Sequence, residues 1–380
     1  MELSKVYFIT NIFPHYRKAL WREILSNTNF CATFYFSKNN PLSIKEGRLE
    51  NNSLNSRIKN VKGYWLFKKY LIWQSNIIEV CLTKQFDSIV FLGEMNILSN
   101  WIGAIICRIR RKKVFFWSHG FYGHESSLKS FFRKCFYKIA NKHIVYENRG
   151  KSLMIKCGFK AQNIEVIYNS LDYENQKLLF EKLNKTKYNS SNFFRNNTLP
   201  VFIYIGRLIE SKKVDQLIKA VKNINADKQI CNLLIVGSGP DQEKLRVLAK
   251  NEIISKTIHF YGACYDENII SNFIFNSICT VSPGNIGLTV INSFSYGTPA
   301  ITHNNFENQM PEAEVIKEGI TGFFFKENDI LSLEQALTDI INSKIDFKAE
   351  CRRVIDSYYN PTYQVKILES VLLNKLKTND

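Results

Sequence analysis

Three loops in the second half of the chain carry the residue types that a phosphorylated ligand needs. Gly206-Arg207-Leu208-Ile209-Glu210-Ser211-Lys212 follows a β-rich apolar run and precedes a helical one. Its glycine lets an anion approach the backbone, while Arg207 and Lys212, five positions apart, can converge on one dianionic group. Basic loop residues are also commonly just solvated, so this run gains weight only beside others. Gly237-Ser238-Gly239-Pro240 suits a nucleotide bound at a strand-to-helix turn and equally suits a plain turn. The most informative stretch is Val281-Ser282-Pro283-Gly284-Asn285-Ile286-Gly287-Leu288-Thr289-Val290-Ile291-Asn292. Here a strand gives way to a loop whose successive amides head a helix, and exposed N–H groups at the positive end of a helix dipole form an anion site able to hold a diphosphate. Asn292, one turn below Leu288, lies on a face that can reach a ribose or sugar hydroxyl.

In the first half, His119-Gly120 stands at the end of a β-rich run. A lone histidine is more often structural, but at a strand's carboxyl end it can donate to sugar or phosphate oxygens. Residues 127–142 alternate Lys129, Arg133, Lys134 and Lys138 with Phe131, Phe132, Phe136 and Ile139. That pattern fits peripheral attachment to an anionic membrane and equally fits a core-packing helix with a wet basic side.

The elements that must position these residues follow from the alternation of short β-rich runs with helical patterns, which predicts parallel sheets wrapped by helices. Strands are expected over 6–11, 32–36, 88–92, 113–118, 143–146 and 165–167, with helices over 17–25, 77–84, 101–110, 127–140 and 150–157. The pattern lapses into a polar stretch from 172 to 199, containing Asn189-Ser190-Ser191-Asn192, and then restarts. Strands are expected over 202–205, 233–236, 258–261, 278–281 and 300–302, and helices over 214–226, 242–251, 267–276 and 288–296. The expected organisation is two doubly wound α/β units, an N-terminal domain over 1–172 and a C-terminal domain over 200–380, joined by a linker over 173–199. The terminal helices are expected to pack back on the N-terminal domain. Ligands of such sheets sit beyond the carboxyl ends of the strands, where the loops above lie.

Composition narrows the class. With 45% hydrophobic and 22% charged residues among 380, the chain is too apolar to be disordered. Its most apolar segment, residues 97–107, is bounded by Arg108, Arg110, Arg111 and Lys112 and is shorter than the roughly 20 residues of a spanning helix. No leader peptide is expected at the N-terminus. The nine cysteines show no paired metal-ligand spacing, which favours a reducing cytoplasm. Asp172 and Glu174 resemble a metal-binding pair but fall in the expected linker, so no metal and no cofactor are expected. The net charge of +17 is concentrated in residues 1–175, which hold 27 Lys and Arg against 12 Asp and Glu. Such a surface concentrates anionic partners or is simply solvated. Nucleic acid is not an expected partner, because no reading motif or stacking platform is evident.

Taken in order, Gly206-Arg207-Leu208 through Lys212, Val236-Gly237-Ser238-Gly239-Pro240, Phe260-Tyr261-Gly262, Gly287-Leu288, Tyr296-Gly297-Thr298-Pro299 and Gly319-Ile320-Thr321-Gly322 resemble the retaining glycosyltransferases of family four, with the GT-B fold. The resemblance spans nearly the whole chain. It implies two Rossmann-like domains facing across a cleft and a nucleotide-sugar donor. It also implies a saccharide or polyprenyl-diphosphate-linked acceptor in surface polysaccharide synthesis, as for lipopolysaccharide or capsule. By the same resemblance Arg207 and Lys212 bind the donor diphosphate, assisted by the amides of Ile286, Gly287 and Leu288. Gly206, Gly237, Ser238, Gly239, Asn285, Thr289 and Asn292 complete the donor site. His119 faces the transferred sugar, and Asn11 to Arg17 resembles the acceptor-side loop, offering His15 and Arg17. One departure stands out: the family has a glutamate, seven residues and a second glutamate where this chain has Gly284 and Asn292. A non-catalytic sugar-binding or complex-forming subunit is therefore the alternative to an enzyme. Glu312 and Glu314 lie nearby in sequence.

Overall fold

The computed structural model describes residues 3–37, 46–47, 49, 51–67, 70–185 and 193–373. The chain forms two compact units, residues 1–172 with 360–380, and residues 173–359.

In the first unit the strands are β1 Ser4–Ile9, β2 Phe30–Ser37, β3 Ile58–Val61, β4 Gly63–Leu66, β5 Leu71–Gln74, β6 Ser88–Leu92, β7 Lys113–Ser118, β8 Lys142–Val145 and β9 Ile164–Val166. Seven form one sheet in the order β3-β2-β1-β6-β7-β8-β9, all pairs parallel. β4 and β5 pair as a separate antiparallel hairpin. Side chains of β1 alternate between faces: Val6 and Phe8 join the cluster of Trp21, Ile24 and Leu25, whereas Tyr7 and Ile9 join that of Ile77, Ala104 and Phe136. Both faces are covered, as parallel sheets require. The helix Pro361–Leu373 supplies Val365, Leu368, Val371 and Leu372 to the first of these clusters.

In the second unit β10 Val201–Ile205, β11 Asn232–Val236, β12 Ile258–Gly262, β13 Cys279–Ser282, β14 Ala300–His303 and β15 Gly322–Phe325 form a parallel sheet in the order β12-β11-β10-β13-β14-β15. Counted within the unit this is the 3-2-1-4-5-6 order of a dinucleotide-binding sheet. The expected linker is revised here. Residues Tyr173–Lys185 form a helix whose Leu183 packs with Phe194 and Ile203 in the second core, and Asn189 to Asn192 lie outside the described residues. Among the described residues no helix is long and apolar enough to cross a membrane.

His143 on β8 shows what burial does in this core. It is 2% exposed and flanked by the rings of Tyr137 and Phe159 at 5.4 and 5.2 Å, and burial pushes its pKa down to about 4. Between about pH 6.5 and pH 4 the unfolded chain takes up a proton that the folded site refuses. Stability therefore falls as pH drops through that window, by up to about 3 kcal/mol. The unfolding midpoint of His143→Leu should depend less steeply on pH over this range than that of the wild type; equal slopes would count against the assignment.

Candidate functional site

In the second sheet the strand order reverses between β10 and β13, so the loops leaving these strands border the crevice where such sheets bind ligands. The Gly206–Lys212 loop is clamped on both sides by backbone. Toward β11, Gly206 N–H donates to Val236 O at 3.0 Å and Leu208 N–H to Ser238 O at 2.9 Å. Toward β13, Gly284 N–H donates to Lys212 O at 3.1 Å. Two glycines make these approaches feasible: a Cβ on Gly237 would stand 1.8 Å from Gly206 O, and one on Gly284 would stand 2.3 Å from Ser211 O. Gly239 is equally close to the backbone of Leu208. The glycines thus shape the crevice by letting three loops touch, and Ser238 stays exposed beside them.

Lys212 is fixed by its neighbour: its Nζ donates to Asn285 O at 2.8 Å and to Asn285 Oδ1 at 2.6 Å. Burial, and the charge of the nearby Arg207, hold it below the usual lysine range. Arg207 is exposed, with its carbonyl accepting from Tyr204 Oη at 2.8 Å. Two cations thus stand on one short loop, Lys212 bound to Asn285 just ahead of the helix Leu288–Ser295, and Thr289 Oγ1 lies 3.4 Å from Ile205 O at the end of β10. The sequence grouped Ile286 with Gly287 and Leu288 as anion-binding amides. In the structure the Ile286 N–H donates to Gln309 Oε1 at 2.8 Å, and Gln309 Nε2 donates to Thr302 Oγ1 and His303 O. Gln309 went unnoticed in the sequence because nothing local ties it to a loop 23 residues earlier.

Asn292 sits in a half-buried polar chain. Gln176 Nε2 donates to Asn292 Oδ1 at 2.8 Å and to Glu267 Oε1 at 3.2 Å, and Tyr296 Oη donates to Glu267 Oε1 at 2.6 Å. Its carbonyl oxygen is engaged and its amide nitrogen remains as the donor for a ligand hydroxyl. Glu312 is 4% exposed, and its Oε2 lies 3.9 Å from where a Cβ on Gly287 would stand. Glu314 shares its short 3-10 helix.

In the first unit a cavity of about 400 Å³ opens at the carboxyl ends of β1 and β6, with Thr10, Tyr16, Arg17, His119 and Tyr146 in its wall. The Arg17 guanidinium lies 5.0 to 5.8 Å from the rings of Tyr146, Trp117 and Trp21 and donates to Asn169 Oδ1 at 3.2 Å. An aromatic box therefore aims a permanent charge into the cavity. His119 is pushed down to about 4 by burial, with Arg17 and Arg133 adding to the effect, so near neutral pH it is an uncharged donor and acceptor. His15, by contrast, is exposed. The basic helix spans Ser127–Tyr137, shorter than expected. Its Arg133 is not part of a wet face: it is 3% exposed and paired with Glu125 at 2.5 Å.

Residues 186–358 match the family described as glycosyl transferases group 1. Over 142 residues, 36% of this chain, the sequence is 25% identical to an exopolysaccharide phosphotransferase of Streptomyces coelicolor, and the match spans 14% of that protein. The lipopolysaccharide outer core galactosyltransferase WaaB in apo form superposes with a TM-score of 0.68 at 18% identity, over 98% of this chain and 100% of that one. Anabaena Alr3699/HepE in complex with UDP gives 0.68 at 15% identity, over 98% and 100%; its complex with UDP-glucose gives 0.63 at 15%, over 97% and 99%. At these identities the likeness concerns the fold, which is of the GT-B type with two Rossmann-like units.

Proposed function

We propose that this chain, whose residues 186–358 match the family described as glycosyl transferases group 1, transfers a hexose from a nucleoside diphosphate hexose to a saccharide or lipid-linked saccharide in surface polysaccharide assembly, with retention of configuration. The observation that carries the reading is that Lys212, held by Asn285 just ahead of the helix Leu288–Ser295, shares its loop with Arg207, whose charge reaches it, where the strand order reverses. The terminal phosphate of a nucleoside diphosphate gains a second negative charge as its bond to the sugar breaks, and Lys212, held by Asn285, stabilises that charge together with Arg207 and the amides of Gly287 and Leu288. The acceptor hydroxyl oxygen bonds to the anomeric carbon on the face from which the diphosphate departs, and its proton passes to the departing phosphate oxygen. These cations do the work that a metal does elsewhere, so the reaction needs no metal and no cofactor. The UDP and UDP-glucose bound by Alr3699/HepE make uridine diphosphate sugars the first donors to try.

Incubation with UDP- and GDP-hexoses, reading released nucleotide with and without EDTA, tests the reading. Release that persists in EDTA supports it. Tight nucleotide-sugar binding without release would instead favour the non-catalytic subunit, consistent with the missing glutamates.

The reading includes peripheral contact with an anionic membrane. Leu128, Phe131 and Phe132 on the helix Ser127–Tyr137 are 50 to 68% exposed, and Lys129 on the same helix and Lys138 at its C-cap are exposed. Replacing Leu128, Lys129 and Phe131 together by glutamine should lower sedimentation with phosphatidylglycerol vesicles by about tenfold, at about 1 kcal/mol per basic residue plus lost apolar burial. Arg133 is left out because its substitution would strand Glu125. Equal sedimentation would make this an ordinary solvated face.

A further inference from the structure

After β6 the chain runs Gly93-Glu94-Met95-Asn96, and this turn stands between two cavities of the first unit. One is the 400 Å³ cavity of Arg17 and His119. The other, of about 730 Å³, has Trp101, Tyr122, Phe132 and Lys129 in its wall. Glu94 and Asn96 belong to the walls of both. Each volume lies within the roughly 300–1,000 Å³ of small-ligand sites.

The wall of the larger cavity combines three kinds of surface. Trp101 and Tyr122 supply aromatic rings to the wall, and Trp101 Nε1 ties the turn in place by donating to Met95 O at 2.9 Å. Arg133, whose guanidinium lies 5.0 Å from the Tyr122 ring, is neutralised by Glu125 at 2.5 Å. Glu94 has no such partner: among the described residues no hydrogen bond or ion pair reaches its carboxyl. Burial raises that carboxyl above the usual glutamate range, with Arg133 and Lys129 opposing the shift. Glu94 is half-buried, so its carboxyl is partly shielded from solvent in the cavity wall and open to hydroxyls that donate to it. A phosphate is a poor candidate beside it, because like charges repel, and a hydrocarbon chain would leave it unsatisfied. A pyranose meets each requirement: its C–H face packs on an aromatic ring, and its hydroxyls both donate and accept.

We infer that the larger cavity is a saccharide site in which Glu94 and Asn96 hold hydroxyls of the bound sugar, at the opening toward His119. This deepens the transferase reading by assigning a place to its acceptor, but the binding itself does not depend on turnover.

The test is a saturation-transfer NMR titration of the full chain with methyl glucosides, galactosides and N-acetylglucosaminides, and with inorganic phosphate. At least one glycoside should bind at millimolar concentration, and Glu94→Gln should weaken it about tenfold, the loss of one charge-assisted hydrogen bond. The melting temperature of this near-isosteric variant verifies its fold, and Trp101→Phe, which keeps an aromatic face, should lose less. Three results would overturn the inference: no glycoside bound at tens of millimolar, equal binding to both proteins, or phosphate binding that tightens in Glu94→Gln. Nucleotide release by the wild type is read separately, so binding without release would sink the transferase reading and leave the saccharide site standing.

Discussion

Replacing Arg207 and Lys212 together by alanine should lower kcat/KM for nucleotide release by about a hundredfold or more, because each charge-assisted contact is worth about 1.5–3 kcal/mol. The two residues are not equivalent. Lys212 spends two donors on Asn285, which fixes its position and leaves one donor for a ligand, whereas Arg207 is exposed with its fork available. Lys212→Ala should therefore raise KM and also loosen the 284–288 loop, visible as a modest fall in melting temperature. Arg207→Ala should cost turnover with no change in melting. Lys219→Ala, which removes an exposed cation paired with Asp215 one helical turn away, is the control. Wild-type kinetics in a folded Arg207→Ala, Lys212→Ala protein would remove the basis of the proposed function.

The second large effect concerns the missing glutamates. Introducing by Gly284→Glu the glutamate found in the family that the sequence resembles should destabilise the second unit by about 3 kcal/mol or more, the upper range for overpacking. The Cβ alone would stand 2.3 Å from Ser211 O and 2.8 Å from Lys212 Cα, and both neighbours are backbone that cannot rotate aside. Asn292→Glu should be far milder, since the new carboxylate can still accept from Gln176, at the cost of standing near Glu267. Thermal unfolding of the two variants measures the difference. If Gly284→Glu melts like the wild type, the loop yields more than its hydrogen bond to Lys212 indicates. If the contrast holds, Gly284 is not just a lost carboxylate, because the loops have closed over the space that a side chain would need.

Much of this was legible in the sequence because parallel strands buried on both faces leave continuous apolar runs. β6 and β7 were expected over the residues they occupy, β10 to β14 lie within a residue or two of expectation, and β15 was not expected. β3, β4 and β5 were not foreseen. Each is four residues long, too short to show a period, and they lie near the polar stretch that follows β2. The site was half legible. Arg207 and Lys212 share one loop, so spacing alone could suggest their convergence. Gln309 reaches Ile286, and Gln176 reaches Asn292 from 116 residues away; such partnerships follow from tertiary packing and leave no local pattern. Glu94 was overlooked for the opposite reason, since a single carboxylate after a strand looks like any solvated turn until its surroundings are known.

The helix Pro361–Leu373 puts the end of the chain into the core where the chain began, with Val365, Leu368, Val371 and Leu372 packed beside Trp21, Ile24 and Leu25. The order of synthesis is therefore not the order of completion. During translation the usual sequence is for the N-terminal domain to fold first, but here that unit waits with an apolar wall uncovered until Pro361–Leu373 has left the ribosome. Residues 173–359, being contiguous, can finish while it waits. A premature stop anywhere in the final helix would thus harm the unit that was made first, and a chain truncated there would expose sticky surface to chaperones and proteases although the domain matching the family was already whole.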